Sequence, residues 1–413
     1  MKYVQHLECV ICRRRYQPRK NLYTCPDCGV DGILDVCFDY AAIRKVMTES
    51  YLARNSEIAH WRYFPLLPLS GRKTIPSLRV GGTPLYEPEA LRLKLGLRKL
   101  YVKDDGLNPT GSLKDRASSV GVARALEEGA KCATCASTGN AASSLAGNAA
   151  SVGLKTFIFV PARAPAAKVA QLLVFGSKVF VVEGSYEDAF SLSMECAADF
   201  GFYNRNSAIN PYLVEGKKTV GLEIAEALGT NPPDYVFASV GDGCSIYGLY
   251  KGLREFCELG LMKKMPRVVG VQAEGAKPIY TAWKSHRPVK PTAAKTLADS
   301  IAVGTPRNWR KGLMAVVESD GFYMTVSDRE ILSAIVLMGK EAGVFAEPAG
   351  ATSFAGVVKA VSKNLIRKNA SVACIVSGSG LKDIASVMKA AGEARRVPPK
   401  YDAVRKLVRK SLN

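Results

Sequence analysis

Histidine is nearly absent from this sequence, with three in 413 residues. His6, His60 and His286 fall in no strand-end motif, so they read as structural or exposed, and no Ser-His-Asp triad can be argued from them. Long apolar runs are missing as well. Glycine, lysine, aspartate or serine interrupts each of them within about ten residues, well short of the roughly 20 needed to cross a bilayer. The opening stretch MKYVQHLECVICRRRY has no apolar centre of the kind a signal peptide carries, and a cytoplasmic protein without membrane contact is expected. Carboxylates are scarce beside cations: 37 Asp and Glu face 57 Lys and Arg, a formal charge of +20.

That excess invites a nucleic-acid reading, in which lysines and arginines neutralise phosphates. The charges are spread along the chain, however, and the densest local excess is the final segment ARRVPPKYDAVRKLVRKSLN. As a basic amphipathic helix it is better explained as a solvated face or a subunit contact than as an RNA-binding element. A positive field equally suits small anionic ligands. Eleven cysteines in so long a chain are too dilute for a secreted disulfide scaffold. With 47% hydrophobic and 23% charged residues, the composition is that of a soluble globular protein, and the length suggests two or three units of about 150 residues.

What is present begins with cysteine pairs. Cys9 and Cys12 form one C-x-x-C, and Cys25 and Cys28 a second, in the context Cys25-Pro26-Asp27-Cys28-Gly29. Two such pairs about a dozen residues apart place four thiolates at tetrahedral reach, the arrangement of a structural Zn²⁺ in a zinc ribbon, with no open coordination position for catalysis. A metal-free knuckle is the alternative. Cys132 and Cys135 share the spacing but fall inside an expected buried strand, where they read as small core residues.

A helical start (AAIRKVMTESYLA) and Pro- and Gly-punctuated text then lead into alternating elements. KLYVK, KCATCA, KTFIFV, KVFVV, DYVFASV, RVVGVQA and SVACIVSG read as strands. DRASSVGVARALEEG, NAASSLAGNAASVG, PAAKVAQLLVFG, YEDAFSLSMECAADFG, EGKKTVGLEIAEALG, SIYGLYKGLREFCELG and LKDIASVMKAAG read as helices. Strands alternating with helices imply parallel sheets with crossover helices, hence an α/β protein with at least two wound sheets. Ligands of such folds bind beyond the carboxyl ends of strands. There, after KLYVK, stands NPTGSLKDR (108–116), whose Ser112 is placed to cap a helix that delivers Lys114 near its N-terminus. The turn Gly241-Asp242-Gly243-Cys244-Ser245 follows DYVFASV and opens another helix; free N–H groups at such a start can bind an anion, although a lone Gly-x-Gly is more often a plain turn.

The segment around Lys114 resembles the cofactor-lysine motif of the pyridoxal-phosphate (PLP) enzymes that include threonine synthase, threonine dehydratase and the tryptophan synthase β subunit. The resemblance to threonine synthases extends along nearly the whole chain through VGGTPL, ASTGNAASS, EGKKT, SIAVGTPRNW, AGVFAEPAGA and VSGSGLKD, in the expected order. It implies PLP fold type II, with a zinc ribbon at 1–40, a connector and the start of the large PLP domain at 41–105, a small α/β domain at 106–208, the large domain at 209–392 and a basic tail at 393–413. It also implies that Lys114 holds PLP as a Schiff base and that Asn140 bonds the phenolic oxygen. The Gly241–Ser245 turn would cradle the cofactor phosphate, and Ser377 would face the pyridine nitrogen. Dimers are usual in the family, and the partner expected otherwise is a small amino-acid substrate.

The implied reaction is conversion of O-phosphohomoserine to threonine and phosphate. Some positions depart from the family. Ala141 replaces a Thr, Ser207-Ala208 replaces an Asn-Ser pair, and Leu213 stands where an Arg binds the substrate phosphate; leucine cannot replace a guanidinium. Arg205, Lys168 or Lys217 supplies the lost charge, or the enzyme is a lyase or β-replacement catalyst acting on another serine, homoserine or cysteine derivative. A third reading is a basic zinc-ribbon nucleic-acid binder with a dead enzyme core, against which Lys114, Asn140 and Ser377 stand. Asp242 is a misfit in a phosphate turn unless its carboxylate points away.

Overall fold

A computed structural model describes residues 1–137, 139–162, 164 and 166–412. Strands β1 (Val4–Cys9), β2 (Arg15–Tyr16) and β3 (Leu34–Phe38) form an antiparallel sheet in the order β2-β1-β3, with Glu8 opposite Asp35 and Cys9 opposite Leu34. β4 (Leu85–Tyr86) and β5 (Lys99–Asp104) enter a second sheet. A third is built by β6 (Cys132–Ala136), β7 (Lys155–Pro161), β8 (Lys178–Val182) and β9 (Tyr203–Asn204), parallel throughout in the order β8-β7-β6-β9. The chain then returns to the second sheet with β10 (Tyr235–Ser239), β11 (Arg267–Ala273), β12 (Phe322–Val326) and β13 (Ser371–Val376). Its order is β12-β11-β10-β13-β5-β4, parallel except at β4.

The helices that matter for the site are α1 (Lys114–Glu127), α2 (Asn140–Ala150), α3 (Ala166–Val174), α4 (Tyr212–Lys217), α5 (Cys244–Glu258), α6 (Trp309–Val317) and α7 (Pro348–Ser362). Every residue of β10 and β13 is buried, as expected of strands covered by helices on both faces, which is why YVFAS and SVACIV read as continuous rather than alternating apolar runs. The outer strand β8 is half exposed, with Phe180 and Val181 open to solvent. The carboxyl ends of β5, β13 and β10 lie side by side and face the carboxyl end of β6. That crevice is where a wound sheet places ligands.

The N-terminal sheet is bolted to the helices behind this crevice. Asp35 accepts hydrogen bonds from Tyr247 Oη (2.9 Å) and Lys251 Nζ (3.3 Å) on α5, and from Lys311 Nζ (2.8 Å) on α6. The two lysines also donate to the backbone carbonyls of Val36 (2.6 Å) and Leu34 (2.8 Å). Lys251 continues to Glu215 on α4 at 2.7 Å.

The structure differs from the sequence reading in local ways. Between the cysteine pairs, Thr24 makes only an isolated bridge to Ile33. AAIRKVMTESYLA breaks into Tyr40–Arg44 and Glu49–Arg54, because the Thr48 hydroxyl caps a second helix by accepting from Tyr51 N–H. Ser112 is one residue too early to cap α1: Leu113 occupies the cap position, and the Ser112 hydroxyl accepts from Lys114 N–H at only 3.4 Å. The loop is held instead by Asp115, which accepts from Thr110 N–H (2.7 Å) and Thr110 Oγ1 (2.8 Å). The C-terminal segment forms an exposed helix, Tyr401–Leu412, and among the described residues no helix is long and apolar enough to cross a membrane.

Candidate functional site

Lys114 reaches the crevice because the loop before α1 is stitched to the end of β13. Leu113 N–H donates to Ser377 O (3.0 Å), Ser379 N–H donates to Gly111 O (3.0 Å), and Ser112 bridges Gly378. The crevice encloses a cavity of about 850 Å³, within the range that holds a cofactor and small substrate. Lys114, Asn140, Gly241, Asp242, Gly243, Cys244, Ser245 and Ser377 all line it. Those residues lie far apart in sequence and converge on one space. Among the described residues no histidine lines the cavity; His60 is buried elsewhere between Ser119 and Thr219, and burial pushes its imidazole down to about 3.

The Gly241–Ser245 turn can receive an anion. Gly243 has φ of +93°, a left-handed conformation that glycine adopts without penalty, and any Cβ there would lie 2.7 Å from Asn308 O. The first N–H groups of the 15-residue α5 have no intrahelical acceptor and no side-chain cap. Asp242 does not oppose the anion: its Oδ1 accepts from Arg307 N–H at 2.9 Å, so the carboxylate is spent on the neighbouring loop.

Cationic groups surround this turn. Burial, and then the nearby Lys217, push the Lys114 amine down to about 8. Arg205 and Lys217 are both fully buried in the cavity wall. Among the described residues the Arg205 side chain donates only to hydroxyls: Ser118 Oγ (3.0 Å), Ser207 Oγ (3.1 Å) and Ser144 Oγ (3.5 Å). Among the described residues, neither cation has a carboxylate within salt-bridge distance, and burial lowers the pKa of both. Lys168 differs, because it pairs with Asp299 at 2.7 Å. Leu213 is buried, away from the cavity, with its side chain against α1 at Gly121.

Lys168–Asp299 spans the solvent end of the cavity, from α3 to the 299–301 turn. Arg307 makes a second link there, pairing with Glu187 at 2.9 Å and lying 4.0 Å over the Phe190 ring. Asn140 Nδ2 donates to Glu347 Oε1 (2.7 Å) and to Ser300 Oγ (3.3 Å). Glu347 lies in AGVFAEPAGA and Ser300 in SIAVGTPRNW, but nothing in the local sequence signals that they meet Asn140.

The N-terminal sheet carries a separate cysteine cluster: the sulfurs of Cys9, Cys12, Cys25 and Cys28 all lie within 4.8 Å of one another.

 

Four thiolates at that spacing suit a tetrahedral cation. Ile11 N–H donates to Cys9 Sγ at 3.4 Å, the kind of bond that stabilises a thiolate, and a Cβ at Gly32 would come within 2.6 Å of both the Cys25 and Cys28 Cβ atoms, so the knuckle closes tightly around the sulfurs.

Comparison with known proteins fits this geometry. Residues 76–378 match the family model described as "Pyridoxal-phosphate dependent enzyme". The chain is 37% identical to the threonine synthase of Methanocaldococcus jannaschii over 404 residues, covering 97% of this chain and 98% of that protein. It is 40% identical to the threonine synthase of Methanosarcina acetivorans over 406 residues, 98% of each. Among solved structures, the processed form of threonine deaminase isoform 2 from Solanum lycopersicum superposes with a TM-score of 0.65 at 23% identity, covering 75% of this chain and 88% of that one.

Proposed function

Because this chain belongs to the pyridoxal-phosphate-dependent enzymes and, within them, to the threonine synthase family, we propose that its cavity holds PLP on Lys114 and converts O-phosphohomoserine and water to threonine and phosphate. The observation that carries the substrate reading is the pair of buried, carboxylate-free cations Arg205 and Lys217. A buried charge without a counterion is costly, so such a pair is stable only if the working cavity supplies anions. The turn at Gly241–Ser245 suits the cofactor phosphate. The two cations then suit a second phosphate, that of the substrate, and take over the part that Leu213 cannot play. An unphosphorylated serine or homoserine derivative would offer them only its α-carboxylate.

The bound cofactor supplies the electron sink that stabilises negative charge at the substrate α-carbon. In this reading Lys114 is the base: with its amine near 8, a useful fraction is neutral at physiological pH and can take the α proton. Asn140 orients the phenolic oxygen, and the Ser377 hydroxyl, a neutral partner for the pyridine nitrogen, restrains the sink and favours elimination over transamination. Arg205 and Lys217 hold the phosphate as it departs. The small α/β lobe at 106–208 and the large lobe at 209–392 form the two walls of the site.

The test is phosphate release from O-phosphohomoserine compared with keto-acid formation from a panel of unphosphorylated amino acids. Arg205→Leu is expected to lower kcat/KM for the phosphorylated substrate by about 10- to 100-fold, the worth of hydrogen bonds to a charged group, while the yellow colour of the bound cofactor persists. Keto acids without phosphate release would sink the substrate assignment and leave the cofactor assignment standing.

The cysteine cluster is proposed to be a zinc ribbon in which Cys9, Cys12, Cys25 and Cys28 hold one structural Zn²⁺. Elemental analysis is expected to find one zinc per chain and none in Cys12→Ser. A native protein purified without metal, yet equally stable in the presence of a chelator, would contradict it.

A further inference from the structure

Building on the PLP reading of the cavity, we propose that Glu347 is a positioning residue, fixing the Asn140 amide so that one of its N–H bonds faces the phenolic oxygen of the cofactor. A carboxamide presents two donors on one side and an acceptor on the other, and a half-turn exchanges them at almost no steric cost. Toward an anionic oxygen only the donor side is useful. Something must therefore decide which side faces the ligand.

Glu347 can make that decision. Its carboxylate only accepts, and it receives Asn140 Nδ2 at 2.7 Å. This bond excludes the flipped amide, which would set Oδ1 against the carboxylate. The second N–H of Nδ2 now goes to Ser300 Oγ in a longer bond of 3.3 Å. Ser300 can release it, because its hydroxyl also lies 3.5 Å from Glu347 Oε2. One N–H thus stays on the carboxylate while the other is free to turn to a ligand.

The carboxylate is itself held. Glu347 is 4% exposed and directly precedes Pro348 at the start of α7. Its backbone N–H donates to Gly378 O at 3.0 Å. A Cβ at residue 378 would sit 2.3 Å from Glu347 Oε1, so the carboxylate occupies space that only a glycine at the end of β13 leaves open. Burial raises the Glu347 pKa, while the charge of Lys114 and the Asn140 bond oppose that rise, as expected for an anion that stands beside both cofactor-facing groups. The Asn140–Glu347 bond also joins α2, which follows the small sheet, to α7, which packs on the large one.

The experiment measures PLP binding to the cofactor-free full chain by visible absorbance. Asn140→Ala and Glu347→Ala are each expected to weaken binding about tenfold and to shift the ratio of the cofactor's absorption bands, the double variant binding no more weakly than Asn140→Ala alone. Glu347→Gln keeps an amide oxygen for Asn140 and is expected within about threefold of native, whereas Glu347→Asp, which keeps the charge but withdraws the acceptor, is expected to lose about tenfold. The Gln and Asp variants decide the matter should Glu347→Ala fail to fold. Multiplying losses in the double variant, Glu347→Gln as weak as Ala, or Glu347→Asp like native would each overturn the inference. If native protein binds PLP but Asn140→Ala binds equally well, the contact between Asn140 and the cofactor fails, and the role of Glu347 with it. Absence of PLP binding in the native protein would instead sink the cofactor reading.

Discussion

Lys114→Ala is expected to reduce threonine formation by at least about four orders of magnitude, the scale of losing a group that is both covalent anchor and proton acceptor. Borohydride treatment of the native protein is expected to fix the cofactor's mass on the peptide containing Lys114 and to leave no such mass in the variant. The fold is expected to survive. The amine is depressed by burial and by the positive charges of Lys217 and Arg205, so removing it relieves like-charge repulsion, and the unfolding midpoint of the cofactor-free variant should match or exceed that of the native chain. A variant that stays yellow and still traps the cofactor would overturn the assignment of this lysine.

Asp35→Ala is expected to cost about 3–5 kcal/mol of stability, the scale of leaving buried charge without its partner. Asp35 is the meeting point of Tyr247, Lys251 and Lys311, and the two lysines are buried. They hold the Asp35 carboxyl far below the usual carboxylate range against its own burial. A carboxyl whose folded pKa is depressed contributes stability that is fully present above its unfolded value, about 4, and is lost as pH falls toward the folded value. Denaturant unfolding should therefore show the full gap between native and variant at pH 7, shrinking progressively as pH falls below about 4. A gap under about 1 kcal/mol at neutral pH, the worth of an exposed ion pair, would show that the N-terminal sheet does not brace α5 and α6. Since α5 begins at the Gly243 turn, weaker PLP binding is expected to accompany the loss.

The large framework was legible in the sequence because its signals are local. β5, β6, β7, β8, β10, β11 and β13 announce themselves as short apolar or β-branched runs, and the turns around Lys114 and Gly241 carry their own punctuation. β12 was not read, although FYMTV is rich in the aromatic and β-branched residues that strands favour, and neither was α7, whose EPAGATSFAG opening is too rich in small residues to show a helical stripe. The cation pair was only half legible. Sequence named Lys168, Arg205 and Lys217 as equal candidates for a lost charge, and what separates them is Asp299, which neutralises the first from 131 positions away. Asp35 and Glu347 were invisible for the same reason: the partners that define them lie more than 200 residues distant, and no periodicity encodes such a meeting.

The two ionic links at the outer end of the cavity, Lys168 to Asp299 and Arg307 to Glu187, have a consequence for the pace of the enzyme. Asp299 and Glu187 are largely exposed, so dissolved ions compete with both clasps. If opening of these two links limits product release, moderate salt is expected to raise kcat even as it lowers kcat/KM for the doubly charged phosphate ester, which steady-state kinetics against ionic strength checks.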